Sequence, residues 1–305
     1  MKKRICLFIG YIAFYLCVII TGKAVAQENA NYRVFKDSKA LHQFYQRIGE
    51  KQPTIIQGHR GTREHGLPEN SIAAFEYVLS QMPAIFEIDP RLTKDSVVVV
   101  FHDATLERTS NGTGRVEDHT WLELQKLNLK NAAGDVTEYR IPTLSQVLEW
   151  ARGKTVLILD KKNVPLQIIA DLLRKHDANS YVINMVRSTE DALFYYRDEP
   201  RRMFSVSIRN PETYFKYINA GIPKEQMFAC MGTELSDDMI ALTRLLHDEG
   251  VSGLIATASS YDKLPTREER AKAYRKIAKL GIDIIESDYP TEVAEALKTN
   301  TRTEK

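Results

Sequence analysis

Short apolar runs rich in β-branched residues alternate with amphipathic segments along most of the chain. Several runs are continuously apolar, as expected for strands buried on both faces of a sheet. Because the runs alternate with helical segments, the sequence predicts a parallel sheet, either open and doubly wound or closed into a barrel. The predicted strands are residues 54–58, 85–89, 97–101, 156–160, 181–185, 203–206, 227–229, 253–256 and 282–286.

The number of runs favours the closed sheet. A TIM-type barrel has eight strands in about 250 residues, and no Gly-x-Gly-x-x-Gly motif of a nucleotide-binding sheet follows the first run. We therefore predict an α/β fold, a TIM-type (β/α)8 barrel, in which one run is surplus, and run 227–229 is the weakest. Residues 103–141, after the third run, contain no barrel strand and are predicted to form an insertion over the mouth.

Helices are predicted between the strands, where apolar residues recur at spacings of three and four. In the first helix, Ile72, Phe75 and Val78 follow this spacing. The predicted helical segments are 71–79, 144–150, 166–173, 238–246 and 267–280.

The N-terminus has the layout of a secretory signal peptide. Three basic residues precede an apolar run over residues 5–20, and Ala-Val-Ala at 24–26 provides the small residues of a cleavage site. The run is short for a bilayer span of roughly 20 residues, which favours cleavage over an uncleaved anchor. We expect a signal peptide (1–26), a lead-in segment (27–50), a barrel domain (51–300), and export to the periplasm or the medium.

The charge balance gives no attraction to a polyanionic partner. The full chain has 42 basic and 40 acidic residues, and the predicted signal peptide removes four basic ones, which leaves a balance of about −2. We therefore expect no nucleic-acid partner and no stable membrane anchor after signal cleavage. Cys230 would be the only cysteine left, so no internal disulfide is predicted.

Ionisable residues stand at the ends of four successive predicted strands. In a (β/α)8 barrel, the C-terminal strand ends carry the functional side chains, so this clustering predicts an active site at the mouth. The residues are His59 and Arg60 after the first run, Glu87 and Asp89 in the second, His102 after the third, and Asp160 and Lys162 after the fourth.

Three of these residues are carboxylates. Glu87 and Asp89 are two residues apart, so their side chains share one face of the strand. Two carboxylates that are buried together repel each other unless a cation or a proton compensates. A hard divalent cation satisfies this need, and Asp160 provides a third ligand.

The other four residues complete the chemistry of phosphoryl transfer. His59 and His102 can transfer protons, and Arg60 and Lys162 can bind a phosphate. A single histidine at a barrel rim is more often structural, but the coincidence on four strand ends favours a site. The residues predicted to be structural or exposed rather than catalytic are His65, Glu69, Asp103 and His119.

At these residues the sequence resembles the glycerophosphodiester phosphodiesterase family. The resemblance is strong over about residues 55–162, faint up to residue 280, and returns at the last strand. The matching segments, in the order of the family, are His59-Arg60-Gly61, Pro68-Glu69-Asn70-Ser71, Glu87-Ile88-Asp89, His102-Asp103, Ile141-Pro142-Thr143-Leu144 and Ser287-Asp288-Tyr289-Pro290.

The resemblance implies a TIM-type barrel that binds Ca²⁺ or Mg²⁺ through Glu87, Asp89 and the third ligand. The family usually has glutamate there, in a Glu-x-Lys motif, whereas this chain has Asp160 followed by Lys162. Aspartate is one methylene shorter, so the site must tighten or recruit a water. Sphingomyelin-cleaving barrels are similar in using aspartate at this position.

The resemblance also implies hydrolysis of a small phosphodiester, a glycerophosphodiester, with His59 and His102 as the acid/base pair and Arg60 on the phosphate. Two alternatives stay open: a phospholipase C-like or sphingomyelinase-like lipid phosphodiesterase, and a non-catalytic phosphate-binding barrel. The released alcohol is not predicted. Candidates for its pocket, by position alone, are Tyr181, Met185, Arg187, Phe204 and Met231.

Overall fold

The computed structural model describes residues 29–46 and 53–298. The predicted signal peptide and part of the predicted lead-in segment lie outside the described residues. Among those described, no helix is long and apolar enough to cross a membrane.

Eight parallel strands close into a barrel, which confirms the predicted fold class. Around the barrel, each strand is hydrogen-bonded to two neighbours in the order β1-β2-β7-β8-β9-β10-β11-β12. The strands are β1 (Ile55–His59), β2 (Ile85–Ile88), β3 (Pro90–Leu92), β4 (Val98–Val100), β5 (Asn128–Lys130), β6 (Val136–Arg140), β7 (Leu157–Leu159), β8 (Val182–Val186), β9 (Met203–Ser207), β10 (Met227–Gly232), β11 (Gly253–Ala256) and β12 (Ile284–Ser287).

Helices follow the barrel strands, and all five predicted helical segments are confirmed. Several begin at a side-chain cap: Ser71 accepts a hydrogen bond from the backbone N–H of Ala74, and Thr143 accepts one from Gln146. The helices are α1 (Ser38–Tyr45), α2 (Ile72–Gln81), α3 (Trp121–Leu124), α4 (Leu144–Ala151), α5 (Leu166–Lys175), α6 (Thr189–Asp198), α7 (Pro211–Asn219), α8 (Asp237–Asp248), α9 (Arg267–Lys279) and α10 (Pro290–Lys298).

The surplus run is 97–101, so its prediction as a barrel strand is wrong. Its core, β4, pairs antiparallel with β3 and forms a hairpin outside the barrel. Val98 and Val100 face the main core while Val99 faces a smaller core within the insertion, and this double burial gave the run its barrel-like composition. The weak run 227–229 belongs instead to β10, which pairs with β9 and β11.

The insertion therefore begins directly after β2, the second barrel strand. It comprises the β3–β4 hairpin, α3 and a second hairpin of β5 and β6, and the barrel resumes at β7. Residues 103–141 contain no barrel strand, as predicted. Leu106, Val116, Leu124 and Leu129 form the core of the insertion.

The N-terminal end of the barrel is closed by α1. Leu41 and Tyr45 of α1 are buried against a ring of apolar side chains that point into the barrel. The Tyr45 ring stacks on Phe228 of β10, with ring centroids 5.1 Å apart. The Ser252 hydroxyl donates to the Tyr45 carbonyl over 2.6 Å, which ties α1 to the chain before β11. Polar inward-facing residues therefore lie at the opposite, C-terminal end.

Candidate active site at the C-terminal mouth of the barrel

Polar side chains replace the apolar ones towards the C-terminal ends of the strands. Pairing of β1 with its two neighbours sets Gln57 beside Glu286 and His59 beside Glu87. Gln57 also donates a short hydrogen bond to the Glu286 carboxylate. Because inward-facing residues alternate along each strand, Asp89 at the end of β2 lies one layer above Glu87.

The predicted carboxylates Glu87, Asp89 and Asp160 lie together. Each offers an oxygen within 4.8 Å of the others, and their exposed fractions are only 3, 0 and 7%. One oxygen of Glu87, Oε2, is buried without a hydrogen-bonding partner. Burial, and then the negative charges of Asp89, Glu286 and Asp160, raise the pKa of Glu87 well above its usual range. Three buried carboxylates with an unpartnered oxygen fit a hard divalent cation.

Three cationic side chains surround these carboxylates. The Lys162 ammonium lies 3.0 Å from Asp89 Oδ1 and 2.5 Å from Asp160 Oδ2. Arg60 Nε lies 3.3 Å from Asp89, and Arg187 donates to Asp160 over 2.8 Å. Burial would raise the pKa of Asp160, but Lys162 and Arg187 lower it. The cations therefore lie where they could also contact an anion bound next to the carboxylates.

His59 is held by a carboxylate from the last strand of the barrel. Its Nδ1 lies 2.7 Å from Asp288 Oδ1, and the Asp288 backbone N–H donates to Asp262 over 2.7 Å. Burial alone would lower the pKa of His59, but the hydrogen bond to Asp288 and the charge of Glu286 raise it overall. The positive charge of Arg60 acts in the opposite direction.

His102 is held by its own neighbour in sequence. Its Nδ1 lies 2.6 Å from Asp103 Oδ1. It does not follow a barrel strand, because the β3–β4 hairpin carries it, and the Phe101 N–H joins this hairpin to the Asp89 carbonyl over 2.8 Å. Burial lowers the pKa of His102, although the charge of Asp89 and the hydrogen bond to Asp103 partly offset this.

The sequence matches the model of the glycerophosphoryl diester phosphodiesterase family over residues 59–227. This match covers more than half of the chain and contains all seven predicted site residues. The chain belongs to this family. A crystal structure of a glycerophosphoryl diester phosphodiesterase from Parabacteroides distasonis is 47% identical, covers 88% of this chain and 94% of its own, and has a TM-score of 0.86.

Curated relatives match a shorter stretch. The glycerophosphodiester phosphodiesterase of Caldanaerobacter subterraneus is 41% identical over 106 residues, which is 34% of this chain and 43% of that protein. The human glycerophosphodiester phosphodiesterase 1 is 36% identical over 111 residues, 34% of this chain and 32% of that protein. The chain thus matches less than half the length of these curated relatives.

The structure brings three further residues into the site, to which the sequence analysis assigned no role. Asn70 donates to Asp89 Oδ2 over 2.7 Å and so fixes one of the central carboxylates. Glu286 and Asp288 share one face of the chain at β12, the same Glu-x-Asp spacing as Glu87 and Asp89. That repeated spacing was the available signal for both.

Two residues predicted to be structural or exposed bond directly to the site. Glu69 accepts from Arg60 over 3.0 Å and from two nitrogens of Arg108 over 2.9 and 2.8 Å. Burial would raise the pKa of Glu69, but the bonds from Arg108 and the charge of Arg60 lower it to about 2. Asp103 accepts from Arg108 Nε over 2.6 Å while it holds His102. Glu69 and Asp103 therefore orient side chains of the site, Arg60 and His102 respectively.

The five pocket candidates separate into three groups. Arg187 reaches the mouth through Asp160, and Met185 packs beside the apolar ring inside the barrel. Phe204 and Met231 are buried in the core outside the barrel, so their prediction as pocket residues is wrong. Tyr181 lies just before β8, and its hydroxyl donates a hydrogen bond to the His176 carbonyl. Position near a strand end did not show on which side of the sheet each side chain lies.

Proposed function

We propose that this protein is an exported, metal-dependent phosphodiesterase that hydrolyses glycerophosphodiesters to glycerol phosphate and an alcohol. One observation carries the proposal: three buried carboxylates, with cations around them, lie at a barrel mouth that also holds two aspartate-paired histidines. Export rests on the layout of residues 1–26, and N-terminal sequencing of the exported protein should find a start near Gln27.

Glu87, Asp89 and Asp160 would hold the metal, Ca²⁺ or Mg²⁺. When bound, a divalent cation stabilises the negative charge that develops on the phosphate oxygens. Arg60 and Lys162 lie against the same carboxylates and would bind the non-bridging oxygens beside the metal.

The two histidines would divide the proton transfers. Their surroundings move their pKa values apart, upward for His59 and downward for His102, so that His102 is suited as the base and His59 as the acid. His102 takes the proton of the attacking group, a neighbouring glycerol hydroxyl or water. His59 gives its proton to the oxygen of the alcohol as the phosphorus–oxygen bond breaks. If a glycerol hydroxyl attacks, water then opens the cyclic phosphate.

The rate should follow a bell-shaped pH profile. Activity rises as His102 loses its proton, below the usual histidine pKa of about 6.5, and falls as His59 loses its proton, above that value. Asp288→Asn removes the carboxylate that raises the pKa of His59, so it should move the alkaline limb to lower pH. The measurement is kcat/KM against pH at saturating metal. An alkaline limb that does not move in Asp288→Asn would contradict the assignment.

Removing the metal should abolish turnover. We expect release of choline from glycerophosphocholine and of inositol from glycerophosphoinositol to stop with EDTA and to return with Mg²⁺ or Ca²⁺. Phosphatidylinositol, a lipid that carries the same inositol headgroup as glycerophosphoinositol, should not be cleaved. Cleavage of the lipid instead would favour the phospholipase C-like alternative, and no EDTA-sensitive release from any of the three would favour a phosphate-binding barrel.

A further inference from the structure

A cavity of about 300 Å³ lies between the first loop of the barrel and the insertion, and none of the seven residues assigned to the proposed reaction lines it. One side is formed by Arg63 and Glu69 from the loop after β1. The other side is formed by Arg108, Thr109, Lys130 and the turn of the β5–β6 hairpin, residues 131–134. The insertion and the first βα loop of the barrel thus build it together.

Two arginines of the cavity wall are each linked to one of the histidines through a carboxylate. Arg63 Nε lies 3.1 Å from Asp288, which holds His59. Arg108 bonds to Asp103, which holds His102. The cavity wall is therefore connected to both proposed proton-transfer groups, each through one carboxylate.

The cavity wall carries one lysine that forms no close ion pair. The charges of Arg63 and Arg108 are neutralised by Asp288, Asp103 and Glu69. The Lys130 ammonium has no such carboxylate partner and instead donates to the backbone carbonyl of Glu107 over 2.8 Å. No ion pair of Lys130 occurs among the described residues, although its charge, after the hydrogen bond from the Gly114 N–H, helps to lower the pKa of Glu107. A ligand with a negative group would complete this site.

The Thr109 hydroxyl is a second polar group in the cavity wall. Thr109 is 5% exposed, and its hydroxyl oxygen is buried without a hydrogen bond in the part of the chain that the structure describes. The Lys130 backbone N–H donates to the Thr109 carbonyl over 2.9 Å, so the two side chains are carried by paired segments. A buried hydroxyl without a partner is uncommon in proteins and points to a missing ligand.

We propose that this cavity is the subsite for the alcohol of the substrate, and that Lys130 selects alcohols that carry a negative group, such as a carboxylate. The inference rests on the proposed phosphodiesterase function and names the class of substrate for that same site. Glycerophosphoserine and glycerophosphoethanolamine form a matched pair, because they differ by one carboxylate on the alcohol.

The test is kcat/KM for this pair in the wild-type protein and two variants. We expect the wild type to prefer glycerophosphoserine by roughly tenfold, the usual scale of one hydrogen-bonded charge. Lys130→Gln should remove this preference, and Lys126→Gln, an exposed lysine on the same insertion, should keep it. The preference should also weaken as the salt concentration rises. EDTA-sensitive turnover with equal rates for the pair, or a preference that survives in Lys130→Gln, would overturn the inference and leave the proposed function standing.

A steric variant tests occupancy without altering charge. Ala132 lines the cavity from the hairpin turn, and Ala132→Trp would fill part of it. Turnover of glycerophosphoserine and glycerophosphoethanolamine should fall, whereas that of a glycerophosphodiester of methanol should not. An equal effect on all three substrates would mean that the alcohol does not enter the cavity. No EDTA-sensitive turnover of any substrate by the wild type would remove the proposed function and this inference together.

Discussion

Replacing either His59 or His102 with alanine is expected to lower kcat/KM for glycerophosphodiesters by about 10²–10⁴-fold, because each variant loses one of the two proton transfers. Metal binding should be retained, since neither histidine belongs to the cluster of Glu87, Asp89 and Asp160. The measurements are steady-state kinetics and calorimetric titration with Mg²⁺ and Ca²⁺. His119→Ala is the matched control, because this histidine bonds to the Thr113 carbonyl within the insertion.

A substrate with a good leaving group distinguishes the proposed acid, His59, from the proposed base, His102. Glycerol p-nitrophenyl phosphate releases p-nitrophenolate, which needs little help from an acid. His59→Ala should therefore recover most of its activity on this substrate, whereas His102→Ala should not. Recovery in His102→Ala alone would reverse the two roles, and full activity of either variant on glycerophosphocholine would contradict its role in catalysis.

Asp89→Ala is expected to have the largest effect on both metal binding and folding. Asp89 is fully buried and lies within 3.3 Å of Arg60 and 3.0 Å of Lys162, so its removal leaves two cations without their common partner. Breaking a buried ion pair costs about 3–5 kcal/mol. Chemical denaturation of the metal-free protein should show this loss, and calorimetry should show no metal binding.

Glu87→Gln provides the contrast. Since burial and neighbouring carboxylates raise the pKa of Glu87, its ionised form is unfavourable in the folded protein, and this penalty grows as the pH rises through that pKa. Glu87→Gln removes the repulsion, so the metal-free protein should be at least as stable as the wild type near neutral pH, although metal affinity and turnover are lost. Glu138→Gln, an exposed position on the insertion, controls for loss of one charge. Strong destabilisation by Glu87→Gln without metal would contradict this account.

The assignment of the barrel strands is one feature that the sequence could not predict fully. A continuous apolar run indicates that a segment is buried, but it does not indicate which part of the protein packs against it. Run 97–101 is as apolar as a barrel strand because Val98 and Val99 face two different cores, and only the pairing of β4 with β3 excludes it from the barrel. The shorter apolar run at β10 is a barrel strand because β9 and β11 lie on either side of it.

By itself, the sequence determined the fold class and the central carboxylates. Alternation along a strand puts Glu87 and Asp89 on one face in any sheet, and the end of the next barrel strand adds Asp160. Only the tertiary structure decided the partners that orient them. Asp288 reaches His59 across 229 positions because β12 closes against β1, and Arg108 and Lys130 reach the mouth because the insertion folds back on the first loop. Local geometry decides which side chains share a face, whereas barrel closure and insertion packing join residues distant in sequence, and no local pattern encodes those contacts.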